Sequence, residues 1–321
     1  MAESLRIEAD NLARRMAARI LGNYAPPRLR HVDELLAELE RATARDVAAG
    51  EWDLFAAEIA GALRGSGVDQ FLRLPPIAKT MHPRIRGRSR GYLRHVLGSH
   101  RFSPEIQRAL TESPVGKPLV NPHYPLSSPL LIQHGYHLIR LLEATQLDLA
   151  RLRLVVDFGG GYGGFCRLLR NIGYREKYLI WDLPVMCALQ RFFLRNVFPS
   201  SADRAAPPNI EWLTSGDPGA RDAVMRHAAE RGPSLFVATW SLSETPLPVR
   251  EEIAPALEGF GFVLLAYQRT FGETDNVAWF SGLEKRLPQF RWQHFECPVY
   301  RNNFYLIGRN AARGQAGHEA R

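Results

Sequence analysis

Leu154-Val-Val-Asp-Phe-Gly-Gly-Gly-Tyr-Gly-Gly164 decides the fold. A short apolar run ends in a cluster of glycines, and Phe165, Leu168, Leu169 and Ile172 then recur at helical spacing. The stretch reads as a buried strand, a tight turn and the opening of a helix. Glycine admits positive φ and lets a ligand approach the backbone with no Cβ in the way. The helix start adds N–H groups that have no partner within the helix. Gly159, Gly161 and Gly164 satisfy the GxGxxG spacing of dinucleotide sites. Asp157, two residues before the first glycine, points elsewhere: a carboxylate there repels a pyrophosphate and attracts a cation.

Working outward, strand-length apolar runs alternate with helical patterns. Strands are expected over 153–158, 178–181, 210–213, 234–239 and 261–267, and helices over 165–171, 184–197, 218–230, 248–257 and 276–287. Such alternation implies a parallel sheet covered by helices. Two last strands, 292–297 and 304–308, are joined by a link too short for a parallel crossover, so they pair antiparallel. Upstream, a helix is expected from Ser128 to about Ala144, capped by Ser127 or Ser128, with Leu131, Leu138 and Leu142 on its inner face. Helical periodicity also marks 31–48 and 52–63, whereas 75–129 is rich in Pro, Gly, Arg and His and cannot be one regular element. The expected fold is α/β, a mostly parallel Rossmann-like sheet with an antiparallel last strand and a helical, loop-rich N-terminal region. The expected division is a cap over 1–127, a catalytic domain over 128–309 and a disordered tail over 310–321.

Composition narrows the class. The 321 residues carry a net charge of +8 and three cysteines, Cys166, Cys187 and Cys297, none in a CxxC pair. No disulfide or zinc framework is expected, which suits a reducing, cytoplasmic setting. No apolar run approaches the ~20 residues that span a bilayer. The first 21 residues read as a charged amphipathic helix rather than a secretory signal. The densest basic stretch runs from Lys79 to Arg108 through Arg84, Arg86, Arg88, Arg90, Arg94 and Arg101. It reads either as a solvated surface or as a contact for an anionic small molecule; no nucleic-acid motif accompanies it. A homo-oligomer remains open.

The second chemical signal is Trp181-Asp182-Leu183-Pro184, at the end of the next strand. An acid there can accept both hydroxyls of a ribose, and it can also cap the following helix. The third is Ser215-Gly216-Asp217, after the third strand, where an adenine amino group could be met or a helix capped. A ligand with a ribose, an adenine and positive charge but no phosphate fits all three: S-adenosyl-L-methionine.

The runs VVDFGGGYGGF, YLIWDLP, TWSLSE and NNFYLIGR resemble the bacterial sugar O-methyltransferases of the class I methyltransferase fold, over roughly residues 120–309. The resemblance implies S-adenosyl-L-methionine as donor and a hydroxyl, of a sugar or sugar-containing metabolite, as acceptor. Asp157, Gly159, Gly161, Tyr162, Gly163, Asp182, Leu183, Gly216, Asp217, Trp240 and Ser241 are then the expected cofactor contacts. Ser243 and Glu244 fall on the acceptor side. An alcohol needs a base, and Glu244, just past the fourth strand, is the first candidate. His123 is the second, in the loop Asn121-Pro-His-Tyr124. Tyr124, His134 and Asn276 are the further expected acceptor contacts, although His134 lies on the same stripe as Leu131 and Leu138 and also reads as a core histidine.

Two rivals keep part of the pattern. A nicotinamide-dependent oxidoreductase keeps the glycine motif but leaves Asp157 and the terminal hairpin unexplained. A metal-dependent O-methyltransferase would use Asp275 and Asn276, but also needs an aspartate where this chain has Thr239-Trp240-Ser241, so no metal is expected. A methyltransferase acting on another natural product, at oxygen or nitrogen, and a non-catalytic binding module are the remaining alternatives.

Overall fold

The computed structural model describes residues 29–43, 51–65, 67–81, 88–198, 209–230 and 232–314. The expected helix over the first 21 residues, Arg84 and Arg86, and positions 315–321 lie outside them. The chain forms two compact units. One gathers Met1–Tyr136, Gly161–Gly173 and Pro184–Pro207, and the other His137–Gly160, Tyr174–Leu183 and Pro208–Arg321.

The second unit carries the sheet. Its strands are β1 (Leu154–Phe158), β2 (Lys177–Asp182), β3 (Ile210–Thr214), β4 (Ser234–Thr239) and β5 (Phe262–Gln268). A two-stranded ribbon, β6 (Thr270–Phe271) with β7 (Thr274–Asp275), precedes β8 (Phe290–Glu296) and β9 (Asn303–Asn310). The seven-stranded order is β3-β2-β1-β4-β5-β9-β8, with β1 to β5 parallel and β9 antiparallel to both neighbours. This is the expected mostly parallel, Rossmann-like sheet with its antiparallel last strand. The six residues between β8 and β9 leave no room for a crossover, which is why β9 runs the other way.

Period-2 side-chain direction builds the unit's core. Val156 and Phe158, Leu179 and Trp181, Phe236 and Ala238, and Val263, Leu265 and Tyr267 all enter one apolar cluster. Val224 and Ala228 of the helix Ala220–Ala229, and Phe280 and Leu283 of the helix Asn276–Arg286, complete it. Fully burying a side chain of this size is worth about 1.5–3 kcal/mol. This cluster therefore fixes where the strand ends lie.

The first unit is helical. Leu35 and Leu39 are the buried face of the helix Val32–Thr43. Its acids pair with the helix Pro184–Val197, Glu38 with Arg191 at 2.7 Å and Glu34 with Arg195 at 2.5 Å. A buried pair, Arg167 and Glu112 at 3.1 Å, ties the helix Gly164–Ile172 to the chain after the helix Pro104–Ala109. Ser128 Oγ accepts from Leu131 N at 3.0 Å and caps the helix Pro129–Thr145.

The stretch 75–129 holds more helix than its composition suggests. No proline falls within 88–98, and there Tyr92, Leu93 and Val96 form the buried face of the helix Arg88–Gly98, which tolerates Gly91 inside it. Pro75 and Pro104 sit at helix starts, where a missing N–H costs nothing. At the other end, Asn310 closes β9 and the chain is placed through Gly314, with Arg313 donating to the carbonyls of Ala228 and Gly259. No helix of the described residues is long and apolar enough to cross a membrane.

Candidate active site

The strand order reverses between β1 and β4, since the chain steps from β1 to β2 and β3 on one side and from β4 to β5 on the other. Beyond the carboxyl ends of strands at such a reversal an open α/β sheet forms a crevice. Gly159 follows β1 with φ +72°, and a Cβ on it would run into Ser241, which follows β4. Ser241 donates its hydroxyl proton to the Phe158 carbonyl, joining the two strand ends. Only glycine fits at 159, for its backbone angle and for its missing side chain alike. Further on, Gly163 at φ +93° opens the helix Gly164–Ile172.

Asp157 lies under this turn. A Cβ on Gly160 would sit 3.1 Å from Asp157 Oδ2. The carboxyl is 2% exposed and accepts a hydrogen bond from the Tyr178 hydroxyl at 2.7 Å. Burial pushes its pKa up to about 7, with the tyrosine bond acting against the rise. A cation beside it would restore the ionised form.

Asp182 ends β2, half-buried, and its Oδ1 accepts from Leu183 N at 2.8 Å. Gly216 and Asp217 are exposed after β3, and Asp217 Oδ1 accepts from Gly219 N at 2.9 Å in the turn before the next helix. Trp240 holds φ +68°, a strained angle for a bulky residue. It is pinned by its indole N–H on Asn303 Oδ1 at 2.7 Å, and the His137 ring lies 5.4 Å away. Strain held by surrounding bonds is characteristic of functional positions.

The residues expected on the acceptor side differ in burial and hydrogen bonding. Glu244 ends the turn Ser241–Glu244, half-buried, and accepts from Gln268 Nε2 at 3.3 Å. Burial raises its pKa to about 7, the Gln268 bond lowering it in part. Ser243 is fully buried, its hydroxyl 2.6 Å from Trp240 O and 2.8 Å from Gln268 Oε1. Asn276 is also fully buried, accepting from Arg250 and donating to Gln268 O. Asp275 caps the helix Asn276–Arg286 by accepting from Ala278 N at 3.0 Å.

The remaining candidates belong to the first unit. His123 is exposed, and its N–H donates to Asn121 Oδ1 at 2.9 Å in a turn that also places half-buried Tyr124. His134 lies 6.1 Å from the Phe165 ring, and burial pushes its imidazole down to about 4, so it is neutral at physiological pH. Tyr162 is 2% exposed in an aromatic cluster, its ring centroid 4.8 Å from that of Phe193 and 6.2 Å from that of Phe71.

Three participants went unread in the sequence: Gln268, Arg250 and Asn303. Gln268 carried a usable signal, since it ends a parallel strand. Arg250 and Asn303 had none, for their partners are set only by tertiary packing.

No family profile matches the chain, and no curated protein matches it either. Solved structures similar to it include an O-methyltransferase family protein from Burkholderia thailandensis, at 14% identity over 57% of this chain and 60% of that one, TM-score 0.36. A precorrin-6y C5,15-methyltransferase from Geobacter metallireducens aligns at 13% identity over 57% of this chain and 88% of that one, TM-score 0.37. An S-adenosylmethionine-dependent methyltransferase from Aquifex aeolicus aligns at 14% over 50% and 82%, TM-score 0.33. The chain thus spans about three fifths of the Burkholderia protein.

Proposed function

We propose that this chain is a cytoplasmic S-adenosylmethionine-dependent O-methyltransferase whose acceptor is a hydroxyl of a sugar or sugar-containing small metabolite. The observation that carries the reading is the buried acid beneath the glycine turn at the sheet's reversal point. Asp157 under Gly160, the side-chain-free cradle at Gly159 and the strand-end acid Asp182 fit a cationic nucleoside. A pyrophosphate would meet a carboxyl instead of a donor.

S-adenosyl-L-methionine supplies an electrophilic methyl group on its sulfonium. Asp157 and Gly159 would hold its charged amino-acid end, Asp182 and Leu183 its ribose, Gly216 and Asp217 its adenine side, and Trp240 and Ser241 the edge toward the acceptor. Glu244 takes the acceptor's hydroxyl proton, and its raised pKa suits a base working near neutrality. Ser243 and Asn276 act behind Glu244, because their polar atoms are already used inside the protein. Tyr162 and His134 shape the helix after the turn from within their aromatic cluster.

The test is transfer of a labelled methyl group to a panel of monosaccharides, sugar nucleotides and sugar-bearing natural products. Label in a sugar hydroxyl supports the full reading. Label only in an amine or a non-sugar phenol keeps the methyltransferase and removes the sugar.

A further inference from the structure

Ser243 and Thr245, the residues on either side of Glu244, face a local hydrogen-bonding deficit. In a 3₁₀ pattern each carbonyl is served by the N–H three positions on. For Ser243 that position is Pro246, which has no N–H to give, and Thr245 leaves the turn in an extended conformation, so the pattern provides no partner for its carbonyl. Both carbonyls are served by one side chain instead. Arg250 donates from Nη2 to Ser243 O at 2.5 Å and from Nε to Thr245 O at 2.7 Å. Its Nη1 donates to Asn276 Oδ1 at 2.7 Å. Asn276 Nδ2 in turn donates to Gln268 O at 2.9 Å, and Gln268 Nε2 returns to Glu244 Oε1 at 3.3 Å. The bonds run from the carbonyls on either side of Glu244 round to its own carboxylate.

Arg250 is fully buried, and none of the ion pairs among the described residues involves it. A guanidinium buried on neutral oxygens is a costly way to fill space. Its planar fork does satisfy three oxygens in fixed directions, which no apolar side chain can do. We propose that Arg250 and Gln268 are positioning residues for Glu244, Arg250 fixing the backbone on both sides of it and Gln268 orienting its carboxyl. The inference rests on the role given to Glu244 above and adds the device that holds it.

Carboxyl ¹³C NMR on the glutamate-labelled full chain tests this without an acceptor. The Glu244 signal is assigned by its loss in Glu244→Gln and should titrate near 7 in the wild type. In Gln268→Leu the midpoint should rise by about one pH unit, since the lost hydrogen bond favoured the carboxylate. In Arg250→Met it should fall toward the ordinary glutamate range, since the loosened turn lets the carboxyl reach water. Arg250→Lys, which keeps one donor, should lie between. A change in thermal stability with both midpoints at the wild-type value would overturn the proposal. If Arg250→Met does not fold, an unmoved midpoint in Gln268→Leu overturns it alone. Each folded variant should bind S-adenosylhomocysteine as the wild type does. Failure of the wild type to bind that probe would count against the methyltransferase reading and leave the titrations intact.

Discussion

Replacing Asp182 and replacing Glu244 should separate binding from chemistry. Asp182 presents a half-buried carboxylate at the end of β2, and Asp182→Ala should weaken S-adenosylhomocysteine by about 1–3 kcal/mol, the scale for hydrogen bonds to a charged group. Unchanged affinity would remove it from the ribose site. Glu244→Gln should lower kcat by about 10²–10⁴ with cofactor affinity kept. Normal turnover in Glu244→Gln would remove Glu244 as the base. The sign of the pH dependence follows from burial. Glu244 is protonated below about 7, so kcat should rise with pH through that value. Stability runs the other way. The folded state favours the protonated carboxyl, so that contribution is complete below the ordinary value of 4.5 and is lost as pH rises to about 7. At this scale the sequence exposed Asp157, Asp182 and Glu244, because each lies near or just past the end of a strand. It did not show that Ser243 and Asn276 are buried with their polar atoms committed, nor that Tyr162 belongs to an aromatic cluster. Those facts depend on neighbours far away in the chain.

Elements place these residues. The run from β1 into the helix Gly164–Ile172 was legible because an apolar strand, a glycine cluster and a helical stripe are local patterns. The strands β2, β4 and β5 were legible for the same reason, and their ends fell within one or two residues of expectation. The ribbon β6–β7 and the turn Ser241–Glu244 were not, being too short to carry a period. The helix Arg88–Gly98 was hidden by the prolines and glycines around it. Gly159→Ala puts a Cβ at positive φ and against Ser241, so it should prise β1 and β4 apart at their ends. Cofactor affinity should fall at least tenfold, with a stability loss of about 1–3 kcal/mol. Calorimetry and thermal melts read both, and an alanine that binds normally would show that the cradle is not where the ligand sits.

For the whole molecule, the sheet order β3-β2-β1-β4-β5-β9-β8 puts one reversal point in the fold, and the candidate cofactor residues of the sheet-bearing unit follow the strands around it. What a crevice at that point accepts is decided by charge, and there the chain offers Asp157. Its carboxyl, raised to about 7, must ionise to meet a cation, so ligand binding should expel a proton near neutral pH. The most direct measurement is isothermal titration calorimetry of the full chain with S-adenosylhomocysteine and with NADH, in buffers of different ionisation enthalpy across pH 6 to 8. S-adenosylhomocysteine binding should tighten with pH up to about 7, release a proton to the buffer and lose that dependence in Asp157→Asn, with no heat from NADH. Tight NADH binding, with no response to S-adenosylhomocysteine, would contradict it.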